Sequence, residues 1–411
     1  MQSNRFKDVA ATPAHPHWEQ LVARQGKLHY RADDIRSPFA RDYTRILHSK
    51  AYRRLKHKTQ VFFNIDNDHI CTRMEHVQHV ESVATTIAKF LGLNEELTKA
   101  IATGHDLGHA PFGHQGEVVL KALAKQHLDL NFWHERNSLR FVDDIELLED
   151  EYRKHKNLGL TYAVRDGIIS HCGEVDENGL VPRQSLMELQ EFDQPGKYQA
   201  ATWEGCVVKI SDKIAYLGRD IEDAIHLGFL EQAQKDELLV MARENDANVM
   251  NTTVIMYNMI TDICKNSSPD QGIALSPKMS QQLKDIKDFN YKYIYKHVRQ
   301  EPFRKYSELV ISQIFELLED CYDGRRTWDA LDAKGDIYPK SVEYFRKWLA
   351  RYCHPEFVPA GELRNLSLQC VNRKIYADLP DRQVYVQAIL DYISSMTDRF
   401  AIELFNETVT Y

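Results

Sequence analysis

Two stretches of helical apolar periodicity that run into one loop dense in glycine and histidine constrain this chain more than any other feature. Over residues 76–91 the apolar positions Val77, Val80, Val83, Ala84, Ile87, Ala88 and Leu91 repeat at helical spacing, and Gly92 follows where a helix would stop. Asn94, a good N-cap, opens a second stretch through Leu97, Ala100 and Ile101 to His105, where Gly104, Gly108, Pro111 and Gly113 crowd in. A mainly α-helical fold is expected, with His76 in the first turn of one helix and His105 and Asp106 at the end of the next. The loop over residues 104–117 holds four glycines, three histidines and two acids. A connector needs no such density of polar groups, so this loop is expected to line a pocket.

Nine of the 18 histidines (57, 69, 76, 79, 105, 109, 114, 127 and 134) fall within residues 57–134, and the cluster rather than any one member carries the signal. His57, His69, His79 and His127 read as structural. Adjacent His105 and Asp106 point about 100° apart on a helix and cannot close a metal site alone, so other elements must contribute. His76 offers an imidazole from the preceding helix, and Asp212 offers a carboxylate from a helix expected over residues 204–223. Two imidazoles and two carboxylates suit a divalent Mn, Mg, Fe or Ni with open positions for water and a phosphoryl oxygen, which is the chemistry of metal-assisted hydrolysis. Asp212, Tyr216 and Asp220, spaced four residues apart, share one face of that helix and can meet a ligand there.

Charge narrows the ligand class. Lys and Arg total 52 against 60 Asp and Glu, a formal charge of −8, so the surface as a whole disfavours nonspecific binding to nucleic acid or anionic membrane. One local exception runs from Arg41 to Lys58: Arg41, Arg45, Lys50, Arg53, Arg54, Lys56 and Lys58 stand against the single acid Asp42. The apolar positions Tyr43, Ile46, Leu47, Ala51 and Leu55 read as one helical stripe, leaving the basic groups to face an anion such as a polyphosphate or a nucleic-acid strand. Seven cysteines without a C-x-x-C pair read as reduced packing residues. No apolar run approaches the length of a membrane span, and the polar N-terminus carries no signal core, so a cytoplasmic location is expected.

The ordered motifs then resemble a known family. His76, His105-Asp106 and Asp212 alone resemble the broad HD-domain phosphohydrolases. Arg41-Asp-Tyr-Thr-Arg-Ile46, Arg53-Arg-Leu-Lys-His-Lys-Thr-Gln-Val-Phe62, Arg73-Met-Glu-His76, His105-Asp-Leu-Gly-His-Ala-Pro-Phe-Gly-His-Gln-Gly-Glu117 and Asp212-Lys-Ile-Ala-Tyr216 resemble the deoxyguanosinetriphosphate triphosphohydrolase-like family, and Asp391-Tyr-Ile-Ser-Ser-Met-Thr-Asp-Arg399 is similar too. The resemblance is dense over residues 24–230 and sparse toward the C-terminus. It implies an HD-domain helical core over residues 41–230, an N-terminal arm over 1–40, and a C-terminal helical region over 231–411 that completes the substrate pocket and the oligomer interface.

The resemblance further implies cleavage of a deoxynucleoside triphosphate, dGTP among them, to deoxynucleoside and intact triphosphate. His76, His105, Asp106 and Asp212 would be the metal ligands, Arg73 and Lys213 triphosphate contacts, Gln60 and Asp220 readers of the 3′-hydroxyl, and Tyr216 a ring packed on the sugar. His109, His114, Glu117 and His134 would serve proton transfer, with His114 and Glu117 paired at i, i+3. The implied partners are a deoxynucleoside triphosphate substrate, further copies of the chain in a hexamer or tetramer, and a nucleotide or single-stranded DNA effector; no membrane is implied. An HD-type phosphodiesterase or exonuclease would share the four ligands without needing Gln60 and Asp220. One departure stands in Phe132-Trp-His-Glu-Arg-Asn-Ser-Leu-Arg140, where the family pattern has Asn after the histidine and Gln before the serine, and this chain carries Glu135 and Asn137. Over the C-terminal half, the aromatic stretch Phe289-Asn-Tyr-Lys-Tyr-Ile-Tyr295 reads as core or oligomer interface.

Overall fold

The computed structural model describes residues 4–26, 34–63, 67–172, 178–243, 252–377 and 379–410. The fold is mainly α-helical, and among the described residues the strands form one two-stranded antiparallel sheet. The helices that position functional groups are α1 (Arg73–Leu91), α2 (Glu95–Gly104), α3 (Gly113–Leu128), α4 (His134–Arg140), α5 (Tyr162–Ser170), α6 (Trp203–His226), α7 (Pro277–Asn290), α8 (Pro339–Tyr352), α9 (Arg382–Ser394) and α10 (Asp398–Val409). No described helix is long and apolar enough to cross a membrane. All seven cysteines are free and buried, as packing residues would be.

Two compact units are built from interleaved stretches of chain. The first comprises Met1–Leu47, Gln60–Asp106 and Gly159–Glu301, and the second His48–Thr59, Leu107–Leu158 and Pro302–Tyr411. The sequential limits at residues 40 and 230 describe where family motifs lie; as domain limits they stay a proposal.

In the first unit α1 packs against α2 and α6, and α5 packs against α2 and α6. The expected signals shape these helices. Thr72 and Glu75 close a reciprocal capping box at the start of α1, satisfying two of the backbone N–H groups that a helix start leaves orphaned. The apolar stripe from Val77 to Leu91 is buried, and α1 stops at Gly92, whose φ of 84° is left-handed and whose N–H donates to the Ala88 carbonyl. The Asn94 side chain accepts from the Glu96 and Leu97 amides to start α2. Close packing of α2 on α5 requires Gly167, where an added Cβ would sit 2.4 Å from the Ile101 side chain.

In the second unit α9 packs on α3 and α8, α8 packs on α10, and strand β1 (Leu147–Glu149) pairs with β2 (His155–Asn157) in the register Leu147 to Asn157. The basic run does not form the single helix that its apolar stripe predicts. One helix ends at His48, Ser49 takes an extended backbone with ψ 152°, and its side chain accepts from the Tyr52 amide to cap a new short helix, Lys50–Arg54. Serine competes for backbone hydrogen bonds in this way, so a cap prevails over the periodicity.

Candidate active site

The first unit gathers the four expected metal ligands. His76, in the first turn of α1, places Nε2 3.0 Å from Asp212 Oδ1 on α6 and 3.7 Å from Asp106 Oδ2. His105 is the C-cap of α2, and its Nδ1 donates to the Ala102 carbonyl at 2.6 Å. That bond leaves Nε2 of the neutral ring as a lone-pair donor, 3.5 Å from Asp106 Oδ1 and 3.8 Å from Asp212 Oδ1. His76, His105 and Asp212 offer ligand atoms all within 4.8 Å of one another. His76, His105 and Asp106 are buried, whereas the Asp212 side chain keeps 14% exposure, so the cluster has an open side there.

The electrostatics fit a cation. His105 Nε2 is buried without a hydrogen-bond partner among the described residues, which is costly for a polar atom unless something else binds it. Burial pushes the Asp212 carboxyl up, but the hydrogen bond and charge of His76, then His105 and His171, more than offset it and hold the carboxyl below its ordinary range. Arg73 Nη1 donates to Asp106 Oδ2 at 2.7 Å, and Nη2 donates to the backbone carbonyl of Gln60 at 3.2 Å. Nitrogen and oxygen donors in this set suit a divalent first-row ion or Mg.

The residues expected to read the sugar lie in the same unit. Lys213 and Asp220 are buried on α6 and Tyr216 is half-buried. Gln60 is 7% exposed, and its side-chain oxygen has no hydrogen-bond partner among the described residues. Two residues that sequence reasoning missed belong with these. Tyr295, in a π-helical turn that continues α7, donates its hydroxyl to Asp220 Oδ2 at 2.5 Å. It lies in the aromatic stretch read as core or interface, and Phe289 and Ile294 there are indeed buried. His171 is the C-cap of α5, donates Nδ1 to the Ile168 carbonyl at 2.6 Å, and stands with its ring centroid 4.8 Å from that of His105. His105, Asp106 and His171 form a further triad of donors within 4.8 Å. The signal for His171 was available: like His105, it ends an apolar helical stretch.

The second unit gathers the expected proton-transfer residues. His134 Nδ1 lies 3.2 Å from Glu117 Oε2, and the His134 amide donates to Glu117 Oε1 at 2.9 Å. His114, 54% exposed, stands 3.7 Å from the same carboxylate, so the i, i+3 spacing brings it near while His134 is the closer partner. The His109 ring stacks on that of His134 at 4.0 Å. Burial would raise the Glu117 carboxyl, but the His134 charge, hydrogen bonds from His114 and His134, and the His109 charge hold it well below the usual carboxylate range. Asn137, at the departure from the family pattern, donates to the Gly108 carbonyl at 2.6 Å, and Ser138 Oγ accepts the Gly108 amide at 2.9 Å. An added Cβ at Gly108 would meet the Ser138 nitrogen at 2.1 Å, which explains a glycine there.

Comparisons with known proteins agree with this arrangement. Residues 73–217 match the HD domain family. The deoxyguanosinetriphosphate triphosphohydrolase-like protein of Desulfatibacillum aliphaticivorans is 34% identical over 90% of this chain and 86% of its own length. Its namesake from Caldanaerobacter subterraneus subsp. tengcongensis is 37% identical over 71% of this chain and 74% of its own length, and that from Clostridium tetani 32% over 91% and 86%. With the HD match spanning α1 to α6 and these relatives covering most of the chain, the protein belongs to the deoxyguanosinetriphosphate triphosphohydrolase-like family of HD-domain phosphohydrolases.

Proposed function

We propose that the protein hydrolyses a deoxynucleoside triphosphate between the α-phosphorus and the 5′-oxygen, giving deoxynucleoside and inorganic triphosphate. The observation that carries this reading is the buried His76, His105 and Asp212 triad, with the Arg73–Asp106 ion pair beside it and Lys213, Tyr216 and Asp220 following Asp212 along one helix. His76, His105, Asp106 and Asp212 would hold a divalent cation, which supplies an activated water and neutralises phosphoryl charge. Arg73 and Lys213 bind the triphosphate, with the fork of Arg73 already oriented by Asp106. Gln60 and Asp220 hydrogen-bond the 3′-hydroxyl, and the Tyr216 ring packs on the deoxyribose where a 2′-hydroxyl would need room. The departing 5′-oxygen needs a proton, and His114, His134 and His109 are the acid proposed to give it, with the Glu117 carboxyl beside them held well below its usual range.

Incubating the full-length protein with each dNTP, Mn²⁺ or Mg²⁺, and ¹⁸O-labelled water tests this. Deoxynucleoside and triphosphate, with the label in the triphosphate, are the expected products. Deoxynucleoside monophosphate with pyrophosphate, or monophosphates released from DNA alone, would replace this reading with a phosphodiesterase or exonuclease.

A further inference from the structure

The basic run leaves one group of cations that the proposed reaction does not use. Within the second unit a cavity of about 100 Å³ is lined by Lys50, Arg54, Glu146, His155, Trp348 and Arg351, among others. Glu146 is the sole acid on its wall and is already committed, accepting from Arg54 Nη2 at 2.6 Å. Lys50 and Arg351 have no carboxylate and make no side-chain hydrogen bond among the described residues, and the same holds for the His155 ring. The Tyr352 hydroxyl and the Trp348 indole on the same wall donate elsewhere, to the Ile145 carbonyl and the Tyr376 hydroxyl. Cationic groups therefore outnumber the one carboxylate on this wall. Burial, and after it the repulsion of Arg351, lowers the proton affinity of the Lys50 amine, and the Glu146 charge offsets this only in part.

We propose that this cavity is an anion site that takes a single phosphoryl group. Two unpaired cations match a dianion, and a guanidinium beside an ammonium offers the fork and the point charge that phosphate oxygens accept. A volume of about 100 Å³ gives room for one tetrahedral oxyanion. The occupant is either inorganic phosphate or the phosphoryl end of an ester whose remainder stays in solvent. This site does not depend on the reaction proposed above.

Calorimetric titration of the full chain with orthophosphate and with a deoxynucleoside 5′-monophosphate, against acetate at equal ionic strength, tests it. Saturable binding of phosphate is expected, weakened at least tenfold in the double variant Lys50→Gln with Arg351→Gln and unchanged in Lys213→Gln. The charge-conserving pair Lys50→Arg with Arg351→Lys should restore it, which separates loss of charge from loss of fold. Monophosphate binding tighter than that of phosphate and weakened in the double glutamine variant would assign the ester end, and equal weakening of two equal affinities would assign free phosphate. Wild-type phosphate affinity in the Lys50, Arg351 double glutamine variant, or a loss confined to Lys213→Gln, would overturn the proposal.

Discussion

A carboxylate becomes useful for recognition only when its lone pairs are aimed, and that of Asp220, proposed to read the 3′-hydroxyl, is held in place. Tyr295 occupies one oxygen through a 2.5 Å hydrogen bond, which fixes the carboxylate plane on a helix that is itself buried. Tyr295→Phe should lower kcat/KM for a dNTP by about tenfold, the worth of one hydrogen bond to a charged group, while a 2′,3′-dideoxynucleotide loses little because it makes no 3′ contact. Equal losses on both would assign Tyr295 to structure alone. One turn on, Asp223 accepts the Cys71 amide at 3.0 Å, and burial raises its carboxyl to about 6. The folded state thus binds a proton that the unfolded state releases near pH 4, so the stability Asp223 contributes is present below that pH and lost as pH rises toward 6. Asp223→Asn should remove a fall of at most about 2–3 kcal/mol across that window, read by urea denaturation at several pH values. An unchanged pH profile would show that the group titrates normally.

At the scale of elements, the chain's local signals were legible wherever one residue decides: the Thr72 capping box, the Asn94 cap, and Gly92 at the end of α1 stand where the sequence places them. His76, His105, Asp106 and Asp212 were legible for a related reason, since each sits at a helix start, a helix end or a fixed helical spacing. Tyr295 was not, because what brings it to Asp220 is the packing of a helix distant in sequence, whereas His171 carried a signal, the end of an apolar helical stretch, that went unread. The C-terminal motif is a second case. Its residues carry no chemistry of their own, yet Asp391 takes both Arg140 nitrogens at 2.8 and 2.7 Å, and Asp398 accepts the amides of Thr59 at 2.9 Å and Phe112 at 2.8 Å. Phe112 opens α3 with φ 64°, a left-handed conformation that costs a non-glycine residue free energy and persists only when its surroundings impose it. Asp398 is therefore a brace for the glycine- and histidine-rich loop. Asp398→Ala, which strands buried amide donors, should destabilise the protein by about 2–4 kcal/mol in chemical denaturation, and a loss under about 0.5 kcal/mol would refute the brace.

At the scale of the whole molecule, a chain with a formal charge of −8 concentrates uncompensated donors in few places, and the ligands that fill them become part of its stability. The cluster of His76, His105 and Asp212, which could hold a metal ion, is one such place. The donor atoms of these three residues crowd within 4.8 Å and the imidazoles hold the Asp212 carboxyl below its ordinary range, so a bound cation would meet the carboxylate charge and satisfy the buried His105 nitrogen in one step. Anything that binds the folded chain and not the unfolded one stabilises it by RT ln(1 + [L]/Kd), about 2.7 kcal/mol at a hundredfold excess over Kd. Chelation should therefore lower Tm, and restoring Mn²⁺ at that excess should recover it. Asp212→Ala should remove the metal-dependent part of Tm, lose bound metal in elemental analysis, and abolish turnover. Its loss also strands the buried His76 Nε2, so chelated Asp212→Ala should unfold somewhat below chelated wild type. His105→Ala should behave alike in metal content. A Tm that responds to Mn²⁺ equally in wild type and in Asp212→Ala would place the ion elsewhere and dissolve the ligand assignment, whatever the effect on activity.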